Sequence, residues 1–147
     1  MEELFTIGYE GLSTETFLER LRSFDVSTLV DIREKPISRK KGFSKSSLSN
    51  YLKNNGIEYV HIRELGSPSM LRKKLKETND YEKFFSEYSN YLTSTAGSHL
   101  QYLHLLVQQR KKACIMCFER DVKTCHRSIV AKKIKKLNGN GLSVRHI

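Results

Sequence analysis

The chain has 147 residues and a formal net charge of +10, and 38% of its residues are hydrophobic. A domain of about 150 residues buries roughly 68–70% of its unfolded surface, so we expect one domain over residues 1–147 with its own core. No stretch reaches the roughly 18 apolar residues of a membrane span, which argues against a membrane partner. Three cysteines are too few for a disulfide framework, and no apolar targeting stretch follows Met1, so a cytoplasmic protein is expected.

Five apolar or alternating stretches predict β-strands. They lie at residues 4–9, 28–33, 57–62, 113–118 and 142–147. Ser13 and Ser44 are suitable N-caps for helices between the first three strands. Helices that alternate with strands imply right-handed crossovers and a largely parallel sheet. We therefore expect a three-layer α/β domain, with a mostly parallel sheet of about five strands flanked by helices.

Between residues 64 and 112 the pattern predicts helices and no strand. One apolar face starts after Asn79 or Asp80, and another starts after Ser98. The first face is mostly aromatic and consists of Tyr81, Phe84, Phe85, Tyr88, Tyr91 and Leu92. Aromatic residues in a basic protein can stack on nucleic-acid bases. At helical spacing they more often form a core, which is the interpretation we prefer.

The excess of lysine and arginine favours an anionic partner. A basic domain attracts polyanions, because each neutralised phosphate releases counterions. The basic residues cluster around positions 39–41, 72–76, 110–112 and 132–136. Such clusters are also typical of solvated surfaces that keep a protein soluble. The charge therefore indicates a nucleotide or nucleic-acid ligand without locating it.

Polar residues at the end of the second predicted strand indicate a ligand site. Asp31 and Arg33 are two residues apart, so their side chains project from one face. Ligands of parallel sheets bind beyond the carboxyl ends of the strands. The turn that follows runs through Arg39 and offers donors for a phosphate or carboxylate. Alternatively, Asp31 pairs with a local arginine and only orders this turn.

Two neighbouring strand ends supply further candidates. Tyr9 lies between Gly8 and Gly11, and glycines there let backbone N–H groups approach a ligand. The glycine spacing matches no dinucleotide or P-loop fingerprint. His61 ends the third predicted strand. Either ring could equally be structural.

The densest set of reactive side chains follows the fourth predicted strand. Cys117 and Glu119 share one strand face, and a buried Glu119 could act as a general acid or base. Both emerge at the edge of the sheet that carries Asp31 and Arg33. The sheet is thus expected to bring two distant segments to one cleft.

The start of the last predicted helix follows this strand closely. Thr124 is a suitable N-cap for the last predicted helix, which places Cys125, His126 and Arg127 in its first turn. A helix N-terminus attracts anions and lowers the pKa of a thiol. Arg127 could then clamp an anion in a bidentate manner. Cys125 is either reactive or a packing residue.

The cysteines and His126 also suggest zinc, because Cys3His is a common structural set. On a strand, however, Cys114 and Cys117 point to opposite faces, so both thiolates cannot easily reach one ion. A thioredoxin-like redox pair is disfavoured, because that motif begins a helix. We therefore expect no metal and no cofactor.

Taken together, these motifs resemble a bacterial and archaeal family catalogued as domain of unknown function 488. The matching residues are 6–9, 29–33, Pro36, Ser38, Arg39, Phe43, Ser44, Gly56, Ile57, Tyr59, His61, Leu65, Gly66, 116–119 and 125–127. The resemblance implies a compact α/β domain whose Asp-x-Arg and Cys-His-Arg motifs form the functional centre. The family's reaction is not established, and Ser67 stands where the family often has a second glycine.

These patterns favour an enzyme that acts on a phosphate-bearing substrate, a nucleotide or nucleic acid. The catalytic candidates are Asp31, Glu119, Cys125 and His126, and the candidates for binding are Tyr9, Arg33, Arg39, His61 and Arg127. One alternative is a non-catalytic nucleic-acid-binding module, based on the net charge. The other is a thiol-dependent enzyme or redox sensor that uses Cys125 or Cys117.

Overall fold

The computed structural model describes residues 2–110, 112–139 and 141–147. The strands are β1 (Glu2–Gly8), β2 (Thr28–Asp31), β3 (Glu58–His61), β4 (Lys112–Cys117) and β5 (Leu142–His146). The helices are α1 (Thr14–Ser23), α2 (Lys45–Asn54), α3 (Ser69–Thr78), α4 (Tyr81–Ser94), α5 (Gly97–Gln109) and α6 (Arg127–Leu137), and a 3-10 turn spans Arg63–Leu65. The strands form one sheet in the order β3-β2-β4-β1-β5.

All neighbouring strands in this sheet are parallel. The predicted α/β fold with a parallel sheet of about five strands is therefore confirmed. Parallel strands require crossovers, and the helices that follow β1 to β4 supply them. In the part of the chain that the structure describes, no helix is both long enough and apolar enough to cross a membrane.

Helices cover both faces of the sheet. Helices α1 and α2 pack on one face, where their leucines and Phe17 form one buried cluster with Cys114 and Met116 of β4. Helices α4, α5 and α6 cover the other face, where Ala113, Ile115 and Cys117 of β4 are buried. Successive β4 residues thus alternate between two cores, as the pleat of a strand requires. Cys114 and Cys117 do point to opposite faces.

The aromatic face of α4 is core in its central positions. Phe84, Tyr88 and Leu92 are buried, and the Tyr88 hydroxyl donates to the carbonyl of Leu65. Tyr81, at the start of the helix, is 38% exposed. The central positions of this face therefore join the core, Phe85 and Tyr91 are partly buried, and Tyr81 is exposed.

Helix caps show where local patterns hold and where they fail. Ser13 caps α1 as predicted: its hydroxyl accepts from the Thr16 N–H at 3.1 Å, and the Thr16 hydroxyl accepts from the Ser13 N–H at 2.9 Å. The Thr124 cap is wrong, because α6 begins at Arg127 with His126 in the N-cap position. The Thr124 hydroxyl donates to the carbonyl of Asp121 instead, within a separate turn.

The loops after β1 and β4 lie against each other at Gly8. A Cβ atom added to Gly8 would lie 1.8 Å from the carbonyl oxygen of Glu119. Beyond the strands, the Tyr9 N–H donates to the Cys117 carbonyl at 3.1 Å, and the Glu10 N–H donates to the Phe118 carbonyl at 2.8 Å. Only glycine permits this approach, which sets the position of the segment that carries Glu119.

Replacing Gly8 with alanine is expected to lower the free energy of unfolding by about 1–3 kcal/mol, because the new Cβ overlaps backbone that has no space to move. Urea denaturation measures the change. The matched control is Gly97→Ala in the first turn of α5, where an added Cβ meets nothing within 4 Å. That control should change stability by no more than about 1 kcal/mol, towards greater stability. Equal effects of the two substitutions would contradict the close approach at Gly8.

Candidate functional site

A cavity of about 770 Å³ opens at the carboxyl edge of the sheet. Its walls come from the segments that follow β1, β2, β3 and β4, together with α3 and the start of α4. Of the residues predicted for the site, five line the cavity: Tyr9, Arg33, Arg39, Glu119 and His126. Asp31, His61, Cys125 and Arg127 are not among its lining residues. The two predicted segments, around position 31 and at 119–127, therefore do meet at one cleft.

Asp31 and Arg33 form a buried ion pair beneath this cavity. The Arg33 Nε donates to Asp31 Oδ1 at 2.9 Å, and its Nη2 donates to Oδ2 at 2.7 Å. Asp31 is fully buried and Arg33 is 7% exposed. Burial opposes the charged form of Arg33, but the hydrogen bonds and charge of Asp31 outweigh it and raise the pKa of the guanidinium. The pair thus orders the turn, as the structural alternative predicted.

Arg33 also joins two other segments to β2. Its Nη1 donates to the Tyr9 hydroxyl at 3.2 Å and to the Phe43 carbonyl at 2.8 Å. The Tyr59 hydroxyl donates to Asp31 Oδ2 at 2.5 Å, and burial, followed by the charge of Asp31, raises the pKa of Tyr59. The cavity floor on this side is a closed network, so Asp31 has little capacity left for a substrate.

His61 lies on the outer side of the same turn. Its Nε2 is 2.7 Å from the Arg33 carbonyl oxygen, and its Nδ1 is 3.4 Å from the Lys45 Nζ. These contacts hold the main chain after β2, and His61 itself does not line the cavity. The position of His61 thus fits the structural alternative.

Arg127 is turned inward rather than towards the cavity. It is 1% exposed, and its Nε donates to the Thr6 hydroxyl at 3.1 Å. Its Nη1 donates to the Glu119 carbonyl, and its Nη2 donates to the Arg120 carbonyl at 3.1 Å. The guanidinium therefore fastens the turn after β4 to β1. This placement does not support the predicted anion clamp.

Glu119 and His126 are the reactive groups that do face the cavity. Burial raises the pKa of Glu119 above its ordinary value. Burial lowers the pKa of His126 to about 4, so its imidazole is neutral near pH 7. The His126 ring meets the Tyr88 ring edge-on, with centroids 5.4 Å apart. A carboxyl with a raised pKa and a neutral imidazole are suited to proton transfer and to ligand binding respectively.

Cys125 is fully buried behind His126, beside Cys117. The two sulfur atoms lie within bonding distance, and the structure joins them as a disulfide with Cα atoms 7.3 Å apart. This pairing was not predicted from the sequence. Cys114 is a free thiol on the other face of the sheet, and burial raises its pKa.

Four potential metal-ligand atoms gather at this point. Cys117, Glu119, Cys125 and His126 each offer one such atom, and these atoms lie within 4.8 Å of one another. The set differs from the zinc set considered from the sequence, because Glu119 takes the place of Cys114. Within the described part of the chain, these four are the residues that could hold a metal ion.

Sequence reasoning missed the contribution of α3 to the site. Arg72 and Lys76 line the cavity together with Ser67, which precedes the helix. Arg72 donates to Glu34 Oε1 at 2.9 Å and so ties α3 to the turn after β2. Arg72 and Lys76 belong to a basic cluster and are four residues apart, which would have placed both on one helix face. No helix had been predicted for this stretch.

These features define an α/β protein with a parallel sheet and a basic cavity at its carboxyl edge. The model of the family described as Domain of unknown function DUF488 matches residues 13–134, and the chain belongs to this family. The resemblance noted from the sequence is therefore confirmed. No curated protein and no solved structure matches the chain.

Asp31→Asn is expected to lower the free energy of unfolding by about 3–5 kcal/mol, because it leaves the Arg33 charge buried without its counterion. The control is Glu58→Gln, which breaks the exposed pair with Arg110 (Nε to Oε1, 2.8 Å). That exposed pair should contribute little to stability, because water and salt screen it. Urea denaturation of both variants measures the difference. A loss in Asp31→Asn as small as that in the control would argue against a structural role for the buried pair.

The lowered pKa of His126 predicts that the protein loses stability in acid. Its folded-state pKa of about 4 lies below the ordinary value of 6.5, so the unfolded chain binds the proton first. His126 therefore makes its full contribution to the free energy of unfolding above about pH 6.5. That contribution is lost as the pH falls towards 4, by at most about 3 kcal/mol. Urea denaturation at pH 7 and pH 4.5 with EDTA should show this loss in the wild type and a smaller one in His126→Gln. Equal losses of stability in the wild type and in His126→Gln would contradict this prediction.

Proposed function

We propose that the protein is an enzyme that acts on a phosphate-bearing substrate of the nucleotide or nucleic-acid class. The substrate binds in the cavity at the carboxyl edge of the sheet, and Glu119 transfers a proton in the reaction. The observation that carries the proposal is the charge of the cavity. Five cationic side chains line it, against the two carboxylates of Glu34 and Glu119.

Three of these cations are available to a ligand. Arg33 is paired with Asp31, and Arg72 is paired with Glu34. Among the described residues, no carboxylate lies within ion-pair distance of the other three cavity cations, which are Lys35, Arg39 and Lys76. All three are exposed. An anion such as a phosphate would be attracted to them without first displacing a protein carboxylate.

The same cavity has an aromatic wall that suits a nucleobase. Phe118 is 44% exposed, and its ring meets the Tyr9 ring edge-on, with centroids 5.3 Å apart. Exposed aromatic faces stack on bases, and each stacked base contributes roughly 1–3 kcal/mol. Cavities that hold small ligands have volumes of roughly 300–1,000 Å³. The cavity volume of about 770 Å³ lies within that range.

Glu119 is preferred over Asp31 as the proton-transfer group. Asp31 is fully buried and accepts hydrogen bonds from Arg33 and Tyr59, so it has no free path to a substrate. Glu119 lines the cavity, and burial raises its pKa. A carboxyl with a raised pKa can donate and accept a proton closer to neutral pH.

Binding can be tested with a short fluorescein-labelled single-stranded DNA, titrated with protein at several salt concentrations. The double variant Lys35→Ala/Arg39→Ala should bind about tenfold or more weakly and should reduce the log–log salt slope by about 1.4, because each contact to single-stranded DNA contributes about 0.7. Lys132→Ala/Lys135→Ala removes the same charge from exposed positions of α6 and should leave the affinity within about threefold. Equal losses in the two double variants would reject the cavity as the binding site.

Turnover separates an enzyme from a binding module. Wild-type protein is incubated with the same DNA and with nucleoside monophosphates, and the products are identified by mass spectrometry. Glu119→Gln should retain binding and lower the rate about 100-fold or more. Binding without any product in the wild type would support the alternative, a non-catalytic nucleic-acid-binding module.

A further inference from the structure

We infer that Cys117, Cys125 and His126 bind one zinc-class metal ion at the floor of the cavity, in the reduced form of the protein. The inference replaces the expectation that the protein binds no metal. Metal binding itself is independent of the proposed function. The use of the metal in catalysis rests on that function.

The first observation is the grouping of the ligand atoms. The two sulfur atoms and a His126 ring nitrogen lie within 4.8 Å of one another and of a Glu119 carboxylate oxygen. Thiolate and imidazole are the preferred ligands of Zn²⁺. Three protein ligands with a fourth position left to water form the arrangement of catalytic zinc sites, and a Cys2His set is among those in use.

The second observation is the state of the His126 ring. Its Nε2 is buried, and among the described residues it is the only buried side-chain nitrogen or oxygen without a hydrogen-bond partner. An unsatisfied buried polar atom destabilises a fold, because it has lost its water without gaining another partner. Metal coordination through Nε2 would satisfy this nitrogen.

The third observation is that both sulfur atoms accept hydrogen bonds. The Arg127 Nη1 donates to Cys117 Sγ at 3.4 Å, and the Arg127 backbone N–H donates to Cys125 Sγ at 3.5 Å. Donors aimed at both sulfurs stabilise thiolates, and such contacts tune the ligands of metal sites. The buried Arg127 guanidinium otherwise contacts only neutral oxygens, so two thiolates would also supply the negative charge that it lacks.

The spacing of the two cysteines fits shared coordination. Their Cα atoms are 7.3 Å apart, whereas disulfide-bonded cysteines usually have Cα separations of about 4.4–6.8 Å. Two thiolates on one tetrahedral zinc lie roughly 3.8 Å apart, given Zn–S bonds of about 2.3 Å. A disulfide has no thiolate to offer, so bonded sulfurs and bound metal exclude each other. The reduced pair is the metal-binding form, and loading it with Zn²⁺ releases the two thiol protons.

Glu119 provides an acid–base group beside the metal site. Glu119 and His126 both line the cavity, so a metal ion held by His126 would lie beside the space where a substrate binds. Zinc lowers the pKa of a bound water to about 7. Glu119 would take a proton from that water, and the resulting hydroxide would bond to the electrophilic atom of the substrate. The bond to the leaving group breaks, and Glu119 returns the proton to that group. The reaction class is therefore hydrolysis of the phosphate-bearing ligand.

The test uses the full chain with its cysteines reduced by tris(2-carboxyethyl)phosphine, loaded with Zn²⁺ and freed of excess metal by gel filtration. Mass spectrometry of the metal should give about one zinc per chain. Loading with Co²⁺ instead should give a thiolate-to-cobalt charge-transfer absorption. Cys117→Ser and His126→Gln should each weaken metal binding about 100-fold or more. The zinc content and the cobalt absorption of the wild type still test the inference if a variant fails to fold.

Two variants serve as controls. Cys114→Ala removes the cysteine on the opposite face of the sheet, and Glu119→Gln removes the carboxylate beside the site. Both should retain about one zinc per chain, and Glu119→Gln should lose only turnover. The inference is overturned if the reduced wild type retains no metal, if the cobalt form lacks the charge-transfer absorption, or if Cys117→Ser binds zinc as the wild type does. Metal bound by a protein that neither binds nor converts the labelled DNA would reject the proposed function and leave the metal site standing.

Discussion

The carboxyl edge of the sheet is held together by two buried guanidinium groups. Loops at this edge lack the regular hydrogen bonding of strands, and their buried polar groups need other partners. Arg33 joins the turn after β2 to Tyr9 and to the carbonyl of Phe43, while Arg127 joins the turn after β4 to Thr6 of β1. Arginine suits this role because its planar group directs five donors outward. The shape of the cavity between these turns depends on both contacts.

Burial divides the arginines and lysines at this edge into two groups. Arg33 and Arg127 are 7% and 1% exposed, and their donors are directed to groups of the protein. Lys35 and Arg39 are exposed at the rim of the cavity. A buried charge must be satisfied by the fold, whereas an exposed charge can exchange water for a ligand. Arg33 and Arg127 therefore hold the turns around the cavity, whereas the exposed Lys35 and Arg39 are the cations that we propose bind the ligand.

Local sequence predicted the regular elements better than the turns between them. Ser13 and Thr124 both precede apolar helical patterns, yet only Ser13 caps its helix. The Thr124 hydroxyl donates to the carbonyl of Asp121, so a competing turn delays the start of α6. Helix α3 was missed because it has only three apolar residues, Met70, Leu71 and Leu75, and none of its residues is buried. Its basic residues complete the cavity, and only packing against α4 reveals their position.

The sequence by itself determined that two distant segments lie at the same edge of the sheet. Parallel strands end at one edge of the sheet, so the pattern of strands and helices alone predicts that Asp31 and the 117–127 segment lie at the same edge. The strand order, which places β2 next to β4, then brings the two segments together. Tertiary structure alone decided which side chains face the cavity. Arg127 is directed inward because its partners, Thr6 and the carbonyls of Glu119 and Arg120, lie in other segments. The orientation of a long side chain follows from partners that are remote in sequence, and no local pattern contains them.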